Sequence, residues 1–189
     1  LTDRLDTLGW PTHIELGYRS SMPLIEIKLI SQQADQTDFT RAEKQLLSVI
    51  TPYLVARQEL NLPAELSEKL ASRPLKIYEQ GTAGIVLSTL AKELPDLTGS
   101  IESLPATAAS LLSRIQEEKQ LTLAIGSETD QGISIALWDG EKGTSQTLRV
   151  GIQNPSLRHG IIAFAAQDML RRYLNNEAIL GSYETLQRT

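Results

Sequence analysis

Two patterns of apolar and polar positions mark the first third of the chain. Residues 24–30 alternate strictly, with Glu26 and Lys28 on one face and apolar side chains on the other, which predicts a half-buried strand. An earlier strand is predicted to start at Ile14. Residues 39–51 then place their apolar side chains near one face of a helix that Asp38 can cap. A two-stranded ribbon backed by one helix predicts a small α+β domain over residues 1–62, of KH-like or split βαβ type.

A KH-like domain has two functional interpretations. It binds nucleic acid when a GXXG loop joins its helices, and residues 1–62 contain no such loop. The alternative, which the sequence favours, is a spacer domain. The net charge of −5, without a long run of either sign, also argues against a general binder of phosphate backbones. We therefore expect no nucleic-acid partner.

From residue 63 onwards, helical and strand patterns follow each other at short intervals. The predicted order is helix, strand, helix, strand, helix, three strands and a helix. The ranges are 64–73, a strand around Leu75 and Ile77, a helix from Thr82, and then 100–104, 108–119, 121–125, 132–138, 144–152 and 155–175. This order predicts a layered α/β domain with a mixed sheet over residues 63–189. We expect Thr107 to cap one helix and the tail after Asn176 to be loose.

The stretch Pro74 to Lys92 contains the turn on which the second domain is centred. Residues 80–84 interrupt the apolar run, and apolar positions then recur at helical spacing, with Thr82 as the predicted N-cap. A strand that turns through glycine into a helix N-terminus presents free amides and the positive end of the helix dipole. Such turns often hold a ligand or a nucleophile in α/β proteins. The alternative is an ordinary tight connection, and the turn alone does not decide between the two.

The turn carries a resemblance to a known family. YEQGTAG, residues 78–84, is similar to AESCTGG, the motif that opens the C-terminal domain of the CinA (competence/damage-inducible) family, a nicotinamide mononucleotide deamidase domain. Gln80 stands at the position of the family's serine nucleophile, Gly81 replaces the cysteine, and Ala83 replaces the first glycine of the pair. The residues kept in register are Glu79, Thr82 and Gly84.

The resemblance extends over nearly the whole chain. HIELGYRSSMPLIEIKL, residues 13–29, is similar to the segment that joins the family's N-terminal domain to its deamidase domain, in a form typical of a CinA-like branch. Residues 132–150 resemble the family's hairpin, and DMLRRYL, residues 168–174, resembles its closing helix. The resemblance implies a homodimer and a missing N-terminal domain. Because the chain starts at Leu1 within a helix-like segment, we also expect it to be a piece of a longer protein.

The catalytic residues that the resemblance implies are missing. In the family, a lysine and a tyrosine assist the serine, but the amide of Gln80 is no nucleophile at neutral pH. Residues 96–107 contain no counterpart of the family's Y-S-N-x-x-K segment, and residues 126–132 none of its glycine-rich loop. We therefore predict a degenerate, inactive deamidase-type domain with a structural or dimerisation role and no catalytic residue.

Two alternatives stay open beside this prediction. The domain could be an active nicotinamide-nucleotide amidohydrolase, or it could bind a nicotinamide nucleotide without turnover. The candidate ligand-binding residues are those of the turn: Glu79, Gln80, Gly81, Thr82 and Gly84. Lys76 is the first candidate for a surviving base, although we expect it to be solvated or at an edge. Ser127 to Asp130 is interpreted as a turn, and His159 as a partly exposed helix residue.

Composition excludes several other kinds of site. The chain has 189 residues with two histidines and no cysteine, so a disulfide or a thiolate metal site is impossible, and no metal or cofactor is expected. No window approaches the roughly 18 apolar residues that span a bilayer, and no signal-peptide pattern is present. We expect a cytoplasmic protein without a membrane partner.

Overall fold

The computed structural model describes residues 2–21, 23–32, 36–58, 60–71, 73–181, 183 and 186–188. The chain divides into two compact units, Leu1–Glu59 and Leu60–Thr189. Some predictions touch residues outside the described ranges, namely Met22 in the segment 13–29, Ser72 in the helix 64–73, and Ser182, Glu184, Thr185 and Thr189 in the tail.

The first unit is a two-stranded ribbon with helices. Its elements are α1 (Thr2–Asp6), β1 (Ile14–Ser21), β2 (Leu24–Ser31), α2 (Gln36–Ile50) and a 3₁₀ turn at Thr51–Tyr53. The strands pair antiparallel, with Leu16 opposite Leu29, and their apolar face packs on the buried Leu46 of α2. The helix begins before Asp38, which therefore lies in its first turn rather than at its cap. The assignment of this unit to a KH-like type stays a prediction, as does the domain boundary at residue 62.

The second unit is an α/β structure built on a mixed sheet, as predicted. Its elements are α3 (Leu62–Leu70), β3 (Leu75–Glu79), α4 (Ile85–Leu90), β4 (Thr98–Ile101), α5 (Ala108–Ile115), β5 (Leu121–Thr129), β6 (Gly132–Trp138), β7 (Gly143–Val150), α6 (Pro155–Leu174) and β8 (Leu186–Arg188). The strand order is β4-β3-β5-β6-β7-β8. Strands β4, β3 and β5 run parallel, and the later pairs are antiparallel.

The sheet is covered on both faces, which explains why most side chains of its central strands β3, β5 and β6 are buried. Ile77 of β3 points to the larger core, which it shares with helices α3, α4 and α6. The next residue, Tyr78, points to the opposite face, where α5 covers it with Leu111 and Ile115. Because successive side chains of a strand alternate between faces, each side chain of β3 has a defined layer. Among the described residues, no helix is long and apolar enough to cross a bilayer.

Four predictions about the second unit need correction. Ser127 to Thr129 do not form a turn, because β5 continues to Thr129 through a register shift between Ile125 and Glu128. The predicted strand at 100–104 lies at 98–101, where it pairs with β3, and the helix predicted over 108–119 ends at Ile115. The tail is not loose throughout, because Leu186–Arg188 pair with β7.

A buried carboxylate holds the start of this tail. Asp168 of α6 is fully buried, and its oxygens accept hydrogen bonds from Arg171, Arg172 and the hydroxyl of Tyr183, each at 2.8 Å. Burial and the neighbouring Asp168 raise the pKa of Tyr183. Buried charges are tolerated when they are paired and hydrogen-bonded in this way, so the network fixes Tyr183 on the last helix.

Candidate functional site

The turn at residues 80–84 leads from β3 into α4 by a route that differs from the prediction. The N-cap of α4 is Gly84, which has a left-handed backbone with φ of 85°, and not Thr82. A Cβ at this position would also lie 2.8 Å from Cδ1 of Ile101. Since glycine alone takes a left-handed conformation without cost, the backbone geometry and the close approach both account for Gly84.

The capping function belongs to Glu79, the last residue of β3. Its side chain is fully buried. Its carboxyl oxygens accept hydrogen bonds from the backbone nitrogens of Val86 at 3.1 Å and Leu87 at 2.8 Å. The Thr82 hydroxyl donates a further bond to Oε1 of Glu79. First-turn amides are the groups of a helix that bind anions, and here the protein's own carboxylate occupies two of them.

Gln80 connects the turn to a neighbouring loop. Its side-chain Oε1 accepts a hydrogen bond from the backbone nitrogen of Leu104 at 2.7 Å, and its own backbone nitrogen donates to the Ile125 carbonyl at 2.9 Å. Leu104 belongs to the smaller core under α5. Gln80, which the resemblance places at the family's serine position, thus fixes the connection between β4 and α5 to the end of β3.

Gly81 lies against the next strand without room for a side chain. A Cβ at this position would lie 2.2 Å from the carbonyl oxygen of Gly126 and 2.7 Å from Cγ2 of Ile133. A Cβ atom does not approach non-bonded atoms this closely in proteins, so the close backbone approach requires glycine. The structure brings all five turn candidates together, and all except the half-buried Gln80 are buried.

Lys76, which we expected to be solvated or at an edge, lies on the inner strand β3 and is paired with a carboxylate. Its Nζ lies 3.0 Å and 3.1 Å from the two carboxylate oxygens of Glu118, and the Tyr78 hydroxyl donates to the same carboxylate at 2.6 Å. The interactions with Tyr78 and then with Glu118 raise the pKa of Lys76 above its ordinary value. A lysine held protonated in this way cannot accept a proton near neutral pH.

A separate cleft of about 420 Å³ opens between the end of β5, the start of β6, the end of β7 and α6. Its apolar lining includes Ile133, Leu148 and Ile162, and its polar lining includes Glu128 and Arg158. None of the five turn candidates is among the residues that line it. The cleft is therefore a different site from the turn.

Glu128 is the centre of a small charged cluster beside this cleft. Nε of Arg158 donates to its Oε1, and Nε2 of His159 lies 3.2 Å from its Oε2. Burial favours a higher pKa of Glu128, but the hydrogen bonds from Arg158 and His159 outweigh burial and lower the pKa. No sequence motif indicates this cluster, because about 30 residues separate Glu128 from Arg158 and His159. Across the described part of the chain, no group of three or more metal-ligating side chains could hold a metal ion.

Comparisons with known proteins agree with the family resemblance. No family model matches the chain. A CinA-like protein of Shigella flexneri is 29% identical over 194 residues, which cover 97% of this chain and 48% of the relative. A CinA-like protein of Escherichia coli O9:H4 (strain HS) is 28% identical with the same coverage. The chain is related to the CinA family. A further relative at 28% identity and the same coverage, from Escherichia coli (strain K12), is named NMN amidohydrolase-like protein YfaY.

The similarity to the CinA-like proteins runs through both compact units, because it covers nearly all of the chain. The predicted family is thus confirmed. The chain spans about half the length of the curated relatives it matches. The assignment to a degenerate branch stays a prediction.

Proposed function

We propose that this chain is a CinA-like fragment whose deamidase-type domain does not hydrolyse nicotinamide nucleotides and has a structural role, including self-association. One observation carries the proposal: the Gln80 side chain, at the family's nucleophile position, is bound to the backbone nitrogen of Leu104. The Gln80 side chain connects the turn after β3 to the loop before α5, so we infer that it stabilises the fold and does not contact a substrate.

Amide hydrolysis needs a nucleophile, a base and donors for the developing oxyanion. Gln80 supplies no nucleophile. Lys76, the nearest candidate base in the sequence, is paired with Glu118 and has a raised pKa. The amides of Val86 and Leu87 are bonded to Glu79, so they are not free to stabilise an oxyanion. At this turn, therefore, Gln80 is no nucleophile, Lys76 is no free base, and the two amides that Glu79 binds are no free oxyanion donors.

Two other functions remain as alternatives. The relative named NMN amidohydrolase-like protein YfaY supports an amidohydrolase that acts on a nicotinamide nucleotide. A module that binds such a nucleotide without turnover would use the turn residues Glu79, Gln80, Gly81, Thr82 and Gly84. The internal hydrogen bonds of Glu79 and Gln80 argue against this site, since a ligand would have to displace them.

The structural role is supported by the edge of the sheet. Strand β4 is at the edge, and its Ile101 is 63% exposed. A second copy of the chain would cover this side chain and the open edge in a dimer. The apolar residues Ile133, Ile135 and Leu137 of β6 are buried within the unit, so they are not part of this surface. Residues 1–62 would act as a spacer of KH-like type.

Three experiments test this proposal. Ammonia release from nicotinamide mononucleotide tests the loss of catalysis, and sedimentation tests self-association. Calorimetry with the same nucleotide separates a structural domain from a binding module, because only a module releases or absorbs heat on titration.

A further inference from the structure

Strand β4 presents backbone groups at the open edge of the sheet. It is the outermost strand of the described sheet, with β3 as its neighbour. The backbone nitrogen of Glu102, just after β4, donates to the carbonyl oxygen of Glu79 at 3.2 Å. Since the backbone groups of successive residues point to opposite edges of a strand, those of Ser100 also point to β3, whereas those of Gly99 and Ile101 point outwards. Such an edge can pair with another strand.

The two outward-pointing residues differ sharply in their side chains. Ile101 is 63% exposed, and its Cδ1 reaches the start of α4, 2.8 Å from where a Cβ on Gly84 would stand. Gly99 has no side chain, and Cδ1 of Leu87 lies 2.6 Å from where its Cβ would stand. On the α4 face, an exposed isoleucine therefore lies two residues beyond a bare backbone position that a half-buried leucine covers.

Gly99 and Ile101 complement each other across a two-fold axis. When two copies of β4 run antiparallel with Ser100 opposite its own copy, each Gly99 lies opposite the Ile101 of the other copy. Directly opposed residues of this kind exchange both backbone hydrogen bonds, and these are the two residues whose backbone groups point outwards. Each Ile101 would then lie over the Gly99 of the second copy and against its Leu87.

The charges near this edge permit such pairing. Natural edge strands often prevent pairing with lysine, proline or a bulge, and the β4 sequence TGSI contains neither a charged residue nor a proline. On the α5 face, the hydroxyl of Ser100 donates to Glu102 at 2.8 Å, and Arg114 lies 3.2 Å from the same carboxylate. The pairing with Arg114 reduces the repulsion between the Glu102 carboxylates of two copies.

We propose that two copies of the chain associate by antiparallel pairing of β4 about Ser100, so that the sheet of one copy continues into the sheet of the other. This proposal rests on the self-association proposed above and gives its geometry. The partner is a second copy because the pattern complements itself: an isologous interface needs one surface that fits its own copy, and the exposed Ile101 fits the bare Gly99.

Disulfide trapping tests the pairing, since the chain has no cysteine of its own. In Ser100→Cys, the two new cysteines would face each other with Cα atoms about 4.5 Å apart, within the range that a disulfide spans. The matched control is Ser145→Cys, because Ser145 is also a half-buried strand serine but is separated from β4 by three strands. Oxidation followed by non-reducing electrophoresis should give about tenfold more covalent dimer for Ser100→Cys.

A mixture of two further variants tests the register. Antiparallel pairing about Ser100 places Thr98 opposite the Glu102 of the second copy. Oxidation of a mixture of Thr98→Cys and Glu102→Cys should therefore give the mixed disulfide, which mass spectrometry identifies, in excess over the disulfide of either variant with itself. Circular dichroism checks that each variant is folded, and the mixture keeps the proposal testable if Ser100→Cys does not fold.

The outcomes separate this proposal from the proposed function. If the chain sediments as a dimer but Ser100→Cys traps no more dimer than Ser145→Cys, the pairing is overturned while self-association stands. Disulfides of Thr98→Cys with itself in place of the mixed disulfide would also overturn it, because the strands would then pair in another register. A monomer at all concentrations would overturn both the pairing and self-association, and ammonia release would still test the loss of catalysis separately.

Discussion

The side-chain carboxylate of Glu79 accepts a hydrogen bond of 2.8 Å from the backbone nitrogen of Leu87, eight residues further along the chain. The end of a strand thus caps the following helix. The same carboxylate accepts hydrogen bonds from the backbone nitrogen of Val86 and the hydroxyl of Thr82. It therefore holds the residues of the turn and the first turn of α4 together. These buried hydrogen bonds fix the start of α4 to the end of β3, which is why we propose a structural role for the turn.

Glu79→Ala should lower the free energy of unfolding by about 2–4 kcal/mol, because it leaves buried amides and a hydroxyl without their acceptor. Urea unfolding followed by circular dichroism measures this loss. Glu93→Ala is the control: Glu93 is exposed near the end of α4, and its replacement should change stability by less than about 0.5 kcal/mol. A loss for Glu79→Ala as small as that of the control would contradict the capping role.

Glu118 should make part of the stability depend on pH. The hydrogen bond from Tyr78, followed by that from Lys76, lowers the pKa of Glu118 below its ordinary value of 4.5, although burial opposes the shift. A carboxylate with a lowered folded-state pKa contributes stability above its ordinary pKa and loses that contribution as pH falls through the lowered value. Glu118→Gln should therefore be less stable than the unmodified chain at pH 7, by about 1–2 kcal/mol.

The difference between these two chains should shrink when unfolding is measured in acid, at a pH below the lowered pKa of Glu118. There both side chains are uncharged, so the ion pair with Lys76 is absent from each. Comparison of two variants cancels the titration of all other carboxylates. A difference that stays constant from pH 7 into acid would show that Glu118 contributes by packing alone.

Gln80→Ser alone should not restore deamidation. An unassisted serine hydroxyl is protonated at neutral pH and needs a base within hydrogen-bond reach, and Lys76 is held protonated beside Glu118. Restoring one member of a catalytic set recovers little, because the members act as a unit. Serine is also too short to accept the hydrogen bond that the backbone nitrogen of Leu104 donates to Gln80, so stability should fall by about 1 kcal/mol.

The measurement for Gln80→Ser is ammonia release beside the unmodified chain, together with urea unfolding of both. Turnover by the serine variant well above background would show that a base survives near the turn. Combining Gln80→Ser with Lys76→Met would then test whether Lys76 is that base.

Local sequence patterns predicted most of the second unit because its elements have strong local signals. The strand at 132–138 follows from its apolar run, and the side chain of Thr107 caps α5 as predicted, accepting a bond from Ser110 at 3.3 Å. The prediction that Thr82 caps α4 was wrong. The acceptor for the first-turn amides is Glu79, at the end of the preceding strand and further from the helix start than Thr82. A capping rule that considers only the residues next to a helix start cannot find it.

The parts that the sequence did not predict depend on contacts between distant residues. Glu128 and Arg158 meet only because β5 continues past its register shift towards α6. Strand β8 has three residues and obtains its hydrogen bonds from β7, so no periodicity within it could have revealed it. In both cases, tertiary pairing determines the local structure.

We predict self-association because the edge of β4 is exposed and because the family resemblance implies a dimer. Sedimentation velocity at micromolar concentration should show a dimer. Ile101→Lys should shift the chain towards monomer, because a charge on an edge strand opposes pairing. Ile30→Lys, at another exposed isoleucine in the first unit, is the matched control. A monomer at all concentrations would remove the dimerisation role.

A coupled ammonia assay at high protein concentration decides whether this chain deamidates nicotinamide mononucleotide. Thr82→Ala and Gln80→Ala variants, purified in the same way, reveal any contaminating enzyme, because a contaminant releases ammonia equally in all preparations. We predict no release above that shared background. Ammonia release by the unmodified chain that clearly exceeds both variants would contradict the account and show that the Gln80 turn is an active site.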